Sequence, residues 1–237
     1  PAPDRSPENR LVPAPGRSPE PLMAPGEPPD TLLLVCALGV EKLALRGGGR
    51  AHAPTVLRTG MGPRAVERVL PAALGTVTPN AAVVATGFCA GLAPGMRPGD
   101  LVVADETRVR PGGPDRTPCT GTAALAAALA EAVRDRPGTT VHTGPVVGSD
   151  HLVRGAERAL LHATGAVAAD MESATVLRRA AAAGPRAVAA VRVVVDTPEH
   201  ELVRVGTLSG GISAFRVLCA VPPALRRWHR SLSLPRR

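Results

Sequence analysis

The chain has 237 residues and a net charge of +8, with 44% hydrophobic and only 1% aromatic residues. That is too apolar for a disordered chain, and no 18-residue stretch is free of both charge and proline, so no membrane-spanning helix is expected. One Trp, two Phe and no Tyr argue against RNA-recognition and single-strand-binding folds, which stack bases on aromatic platforms; duplex-DNA binding is left open.

In chain order, residues 1–30 form a separate zone. They hold 10 of the 26 prolines and a net charge of −2. The segment reads as a disordered extension, or as the product of a start codon placed too early. The folded domain is expected over 31–225. Leu32 to Cys36 is a continuous apolar run, as in a strand buried on both faces. A helix follows from Gly39 to Leu45. A short strand runs from Thr55 to Thr59, then Gly60-Met61-Gly62 leads into Pro63, suited to a first helical turn, and a helix over 64–74. Ala81 to Thr86 reads as a buried strand ended by Gly87, and Asp100 to Ala104 as the next. Residues 110–120 read as a loop, Thr122 to Arg134 as an Ala-rich helix, Thr140 to Val147 and Ala166 to Ala169 as strands. Met171 to Ala183 is a helix closed by Gly184-Pro185. Ala187 to Val195 is the last strand, and a final helix runs from about Leu208 to Ala220, ahead of Pro222-Pro223. This alternation predicts an α/β fold with a mixed, mostly parallel twisted central sheet flanked by helices, in three layers.

In such sheets ligands bind beyond the carboxyl ends of strands. Four features fall there: Glu41, the Gly-rich turn Thr86-Gly87-Phe88-Cys89-Ala90-Gly91, Asp170-Met171-Glu172, and Asp196. Each alone has an ordinary reading. Asp170 would be a helix cap, Glu41 a solvated first-turn residue, and the glycines turn residues. Three carboxylates after three separate strands are harder to treat as coincidence.

The stretch from Thr86 through Gly91 to Pro98-Gly99-Asp100 and Glu106 resembles the signature of the purine nucleoside phosphorylase and nucleosidase superfamily. Ala168-Ala169-Asp170-Met171-Glu172-Ser173-Ala174 is similar to its Met-Glu ribose motif, Val191-Arg192-Val193-Val194-Val195-Asp196 to its Arg-x-x-Ser-Asp motif, and Cys36 to Glu41 to its opening strand–Glu segment. Within the superfamily the chain is most similar to methylthioadenosine/S-adenosylhomocysteine nucleosidases and, through Thr59-Gly60-Met61-Gly62 and Thr207 to Ser213, to the hopanoid-associated phosphorylases, which act on adenosylhopane.

The chemistry suits these residues. A purine N-glycosidic bond breaks through an oxocarbenium-like cation, and the base leaves readily once N7 is protonated. Asp196 is the candidate general acid, with a pKa raised by burial. Glu172 would accept hydrogen bonds from the ribose hydroxyls, and Met171 would pack on the ribose. The resemblance places Glu41 beside the anomeric carbon, where it would orient or deprotonate water. It also places Leu152 and Val153 in the purine pocket, with Gly87 and Phe88 contributing to binding. Three departures stand out: Val195 occupies the position of the Ser that orients the catalytic Asp, Ala90 replaces a Gly, and Ala85 stands where bacterial phosphorylases carry a phosphate-binding Arg. The last favours water over phosphate as nucleophile, while Arg58 would be the phosphate contact of a phosphorylase. Hydrolysis, phosphorolysis with phosphate as co-substrate, and noncatalytic nucleoside binding all stay open.

The six His lack metal-ligand spacing, so no metal is expected. Nor is a cofactor. Ser149-Asp150-His151 reads as a turn rather than a triad. Four cysteines without a CxxC pair suit a reducing cytoplasm. Residues 226–237 hold five Arg and no acid, a basic tail. With Leu225, Trp228 and Leu232 at helical spacing, it reads as a solvated end or as a weak membrane-surface contact. The resemblance implies a purine nucleoside as substrate and a second copy in a homodimer; no clustered recognition-helix pattern supports nucleic acid.

Overall fold

The computed structural model describes residues 32–46, 54–198 and 207–232. The elements, in order, are β1 (Leu32–Cys36), α1 (Gly39–Arg46), β2 (Thr55–Arg58), α2 (Pro63–Leu74), β3 (Ala82–Gly91), β4 (Leu101–Arg108), β5 (Arg116–Pro118), α3 (Thr122–Ala132), β6 (Val141–Gly148), α4 (Ala156–Ala163), β7 (Ala168–Asp170), α5 (Ser173–Ala182), β8 (Val188–Asp196) and α6 (Thr207–Leu232). The expectation for residues 1–30 lies outside the described residues.

The eight strands form one mixed sheet in the order β2-β1-β3-β7-β6-β4-β5, with β8 pairing both β3 and β4. Strands β1–β2, β1–β3, β3–β8, β4–β6 and β6–β7 pair in parallel; β3–β7, β4–β8 and β4–β5 pair antiparallel. Because β8 bridges β3 and β4, the strands β3, β8, β4, β6 and β7 close into a ring. The apolar runs explain the layers. Side chains alternate between sheet faces, so Leu32, Leu34 and Cys36 of β1 enter the core shared with α1, α3 and α6, whereas Leu33 and Val35 enter the one shared with α2 and α5. A small third cluster of Leu92, Val147, Val153, Leu161, Ala166 and Ala169 lies under α4.

Four local expectations are corrected. The Gly-rich segment 86–91 is not a turn but the second half of β3, because β8 pairs along one edge and β7 along the other. Arg116–Pro118, inside the predicted loop, pairs with β4. Helix α4 was not predicted; only Arg158 and Leu161 of its eight residues are buried, so it carries almost no apolar stripe. Finally, α6 runs through Pro222 and Pro223 to Leu232, so the boundary expected at 225 falls inside a helix. The apolar residues Ala214, Val217, Leu218, Val221, Ala224, Leu225 and Trp228 all enter one core. Burying Leu225 and Trp228, each worth roughly 2–3 kcal/mol, offsets most of the cost of two interior prolines, about 3 kcal/mol each. Trp228 is only 1% exposed and donates its indole N–H to the Thr120 carbonyl at 3.2 Å. It therefore cannot sit among lipid headgroups, and the membrane-contact reading of this segment loses its anchor. Among the described residues, no helix is long and apolar enough to cross a membrane.

Candidate active site

Glu41 lies where β1 gives way to α1. At the third helical position its carboxylate reaches back, Oε2 accepting from the backbone N–H of Ala37 at 2.9 Å and of Leu38 at 2.7 Å. This is the carboxylate half of a capping box. Oε1 accepts from the Phe88 N–H at 2.8 Å, so the side chain ties β1 to β3. It is 2% exposed, not the solvated residue that helix position alone suggests. Each carboxylate oxygen has two acceptor directions, which leaves one on Oε1 for another donor. Gly87 makes this approach possible. Its φ is +142°, and a Cβ there would collide with the Glu41 carboxylate and lie 2.9 Å from Arg192 Nη1.

Glu172 occupies the N-cap position of α5, without a side-chain capping bond. Its Oε1 accepts from the Gly62 N–H at 2.8 Å, and its Oε2 lies 3.9 Å from Arg192 Nη1. Burial pushes the Glu172 carboxyl up to about 7; the Arg192 guanidinium opposes the rise, the Asp170 charge adds to it, the Gly62 N–H opposes it, and the Glu41 charge adds to it. Arg192, on β8 and 1% exposed, pairs with Asp170 at 2.5 Å and donates from Nε to Ser173 Oγ at 2.8 Å. Its two terminal nitrogens have no hydrogen-bond partner among the described residues. Asp170 accepts from the Ser173 N–H at 3.1 Å and from its hydroxyl, so the capping role and the charge-pairing role coexist.

Asp196 ends β8, beyond a register shift that sets it opposite Ala90 of β3. Its Oδ2 pairs with Arg158 Nη2, and Arg158 Nη1 donates to the Gly91 carbonyl at 3.3 Å. Both residues are buried, at 6% and 2% exposure. The neighbouring Val195 packs against the core on the α1, α3 and α6 side. Asp196 is thus both buried and faced by a guanidinium.

These groups surround one cavity of about 340 Å³. Glu41, Glu172, Asp196, Met171, Phe88, Leu152 and Val153 all line it, together with Asp170, Met61, Val195 and Arg154. Gly87 lies behind the wall, against Glu41. Arg58 is not brought in: it is exposed on β2, and its Nη1 lies 3.6 Å from a Cβ built on Gly39. Ser149, Asp150 and His151 form an exposed turn at the rim, where His151 bonds Asp150 at 2.8 Å and Glu157 at 3.0 Å. These carboxylates, Asp150 first, raise the His151 pKa. Among the described residues, no group of three His, Cys, Asp or Glu could hold a metal ion.

Sequence reasoning gave no role to two arginines, although Arg192 stands in the Arg-x-x-Ser-Asp resemblance. A charged residue inside the apolar run Val188–Val195 was a signal for Arg192. Arg158 had none of its own, since its helix was not foreseen; only the loss of the Ser at position 195 implied some other partner for Asp196.

The phosphorylase superfamily model matches residues 46–208. No curated protein sequence matches the chain significantly. Among solved structures, the chain is similar to the 5′-methylthioadenosine/S-adenosylhomocysteine nucleosidase of Neisseria meningitidis in complex with methylthio-immucillin-A (19% identity, 85% of this chain and 99% of that one, TM-score 0.64). It is similar also to that of Helicobacter pylori with butyl-thio-DADMe-Immucillin-A (15%, 84% and 97%, 0.63) and to that of Colwellia psychrerythraea 34H in complex with adenine (17%, 82% and 95%, 0.61). At these identities the likeness establishes the fold.

Proposed function

Since the chain belongs to the phosphorylase superfamily, we propose that it cleaves the N-glycosidic bond of a 5′-substituted adenine nucleoside by hydrolysis, releasing adenine. The observation that carries this reading is the convergence of Glu41, Glu172 and Asp196 from three strand ends on one largely apolar cavity.

In the proposed reaction the C1′–N9 bond breaks and its electron pair goes to the purine. Asp196 gives its proton to N7, which makes the base a neutral leaving group. The sugar becomes oxocarbenium-like, and the nearby carboxylate of Glu172 offsets that charge while accepting from a ribose hydroxyl. Water adds its oxygen to C1′, and its proton passes to the free acceptor direction of Glu41. The products are adenine and the free 5-substituted ribose. Phe88 and Met171 supply apolar contact for base and sugar, and Leu152 and Val153 wall the base.

Phosphate as nucleophile would need fixed cationic donors. Arg158 is paired with Asp196, and Arg192 and Arg58 are not among the residues lining the cavity, which supports water. Arg154 at the rim is the observation that favours the phosphorolytic reading. The apolar rim, with Met61 62% and Leu152 55% exposed, suits an apolar 5′ substituent; adenosylhopane is the bulky extreme and methylthioadenosine the small one. The same reading carries a homodimer and a cytoplasmic location, the latter supported by four free cysteines.

The test is product analysis on methylthioadenosine and adenosylhopane, with and without phosphate. Adenine plus the free sugar, at a rate indifferent to phosphate, is expected. A sugar 1-phosphate would assign phosphorolysis, and no adenine from any 5′-substituted adenosine would leave a noncatalytic binder.

A further inference from the structure

Asp196 has no hydroxyl from the residue before it, because position 195 is a valine, packed partly against the core and partly lining the cavity. Its described partner comes from a different element. Arg158 sits in the first turn of α4, 2% exposed, with Nη2 on Asp196 Oδ2 and Nη1 on the Gly91 carbonyl. An arginine buried this deeply is costly unless its charge is met, and Nε has no hydrogen-bond partner among the described residues. The guanidinium is thus held in place chiefly by Asp196 and the end of β3.

We propose that Arg158 is the positioning residue of Asp196, aiming its carboxyl at the purine and stabilising the negative charge that Asp196 gains as it protonates N7. This rests on the proposed reaction. A planar guanidinium on Oδ2 fixes the plane and direction of the carboxyl group. The charge on Asp196 is absent while it holds the proton and full once the proton has left. A fixed cation beside it therefore favours the transition state over the ground state. The groups gathered about the pair are the Cys89 thiol of β3, whose pKa burial holds well up, and Asp170 and Arg192, which act on that thiol together with Asp196 and Arg158. Arg154 and His151 stand at the cavity rim. Neither Asp170 nor Arg192 changes in the experiment below, so a shift between variants reports Arg158.

The experiment measures adenine release from methylthioadenosine by wild type, Arg158→Met and Arg158→Lys, as kcat, KM and the pH dependence of kcat/KM. For Arg158→Met, kcat is expected to fall about 100-fold, the low end of what a positioned acid contributes, with KM within about threefold of wild type. The alkaline limb of kcat/KM, where the acid loses its proton, is expected to move to higher pH, because burial then acts on Asp196 without its cation. Arg158→Lys keeps a charge and is expected to retain the limb while losing part of kcat. If Arg158→Met does not fold, the lysine variant decides, since its kcat should fall with the limb in place. Superimposable pH profiles for wild type and Arg158→Met, or full wild-type kcat in Arg158→Lys, would overturn the proposal. If wild type itself releases no adenine, it is the reading of the reaction that fails.

Discussion

Replacing Glu172 by Gln tests whether burial outweighs the nearby arginine. The side chain lies in the cavity wall with its carboxyl pushed from 4.5 to about 7, burial being the largest cause. A carboxyl whose folded pKa exceeds its unfolded value binds more protons in the folded state, so stability falls as pH rises between those two values. With 4.5 unfolded and about 7 folded, the loss relative to the acid limit is about 1 kcal/mol near pH 5 and about 3 kcal/mol near pH 8. Gln is neutral at every pH, and its carbonyl can still accept from the Gly62 N–H. Its stability relative to wild type should therefore improve by roughly 2 kcal/mol between about pH 5 and about pH 8. Urea unfolding of both proteins at both pH values gives this double difference, in which other titrating groups cancel. A double difference near zero, or a variant that becomes relatively less stable at alkaline pH, would refute the claim that burial dominates. The same variant should lose about 100-fold in adenine release, as a removed transition-state stabiliser does.

Three further outcomes are expected. Asp196→Asn should abolish adenine release and, by leaving the Arg158 charge unmatched, lower stability by about 3 kcal/mol; circular dichroism and urea melts separate the two effects, and a variant with most of its activity would remove Asp196 as the acid. Gly87→Ala must accommodate a Cβ against the Glu41 carboxylate at φ +142°. A stability loss of about 1–3 kcal/mol should come with displaced Glu41 and reduced turnover, and unchanged melts would show that the backbone yields freely. Trp228→Ala should cost about 3–5 kcal/mol in urea unfolding, whereas a headgroup-facing tryptophan would cost almost nothing in solution.

The parts of this fold set by local pattern were readable in the sequence. The apolar runs of β1, β3 and β8 match strands buried on both faces, and the carboxylates at the ends of β1, β7 and β8 do meet at one cavity. What escaped was set by distant partners. Nothing local distinguishes the Gly-rich half of β3 from a turn, since it is extended only because β7 and β8 pair with it. The spacing of Leu225 and Trp228 was helical as read, but which surface that face would cover depended on a core assembled from β1, β3, α3 and the rest of α6. Arg158 was invisible because its importance lies in an ion pair spanning 38 positions of sequence.

The two ends of the proposed reaction share a common reference. Glu41 is anchored to the Phe88 amide, and Asp196, through Arg158, to the Gly91 carbonyl. Both anchors belong to β3, three positions apart, so strand geometry sets them about 10 Å from each other. That strand works as a ruler of fixed covalent spacing, but the carboxylates are read against it by side chains on two helices, Glu41 on α1 and Arg158 on α4. Loosening of α1 or α4 should therefore change the gap a nucleoside must span even while the strand keeps its length.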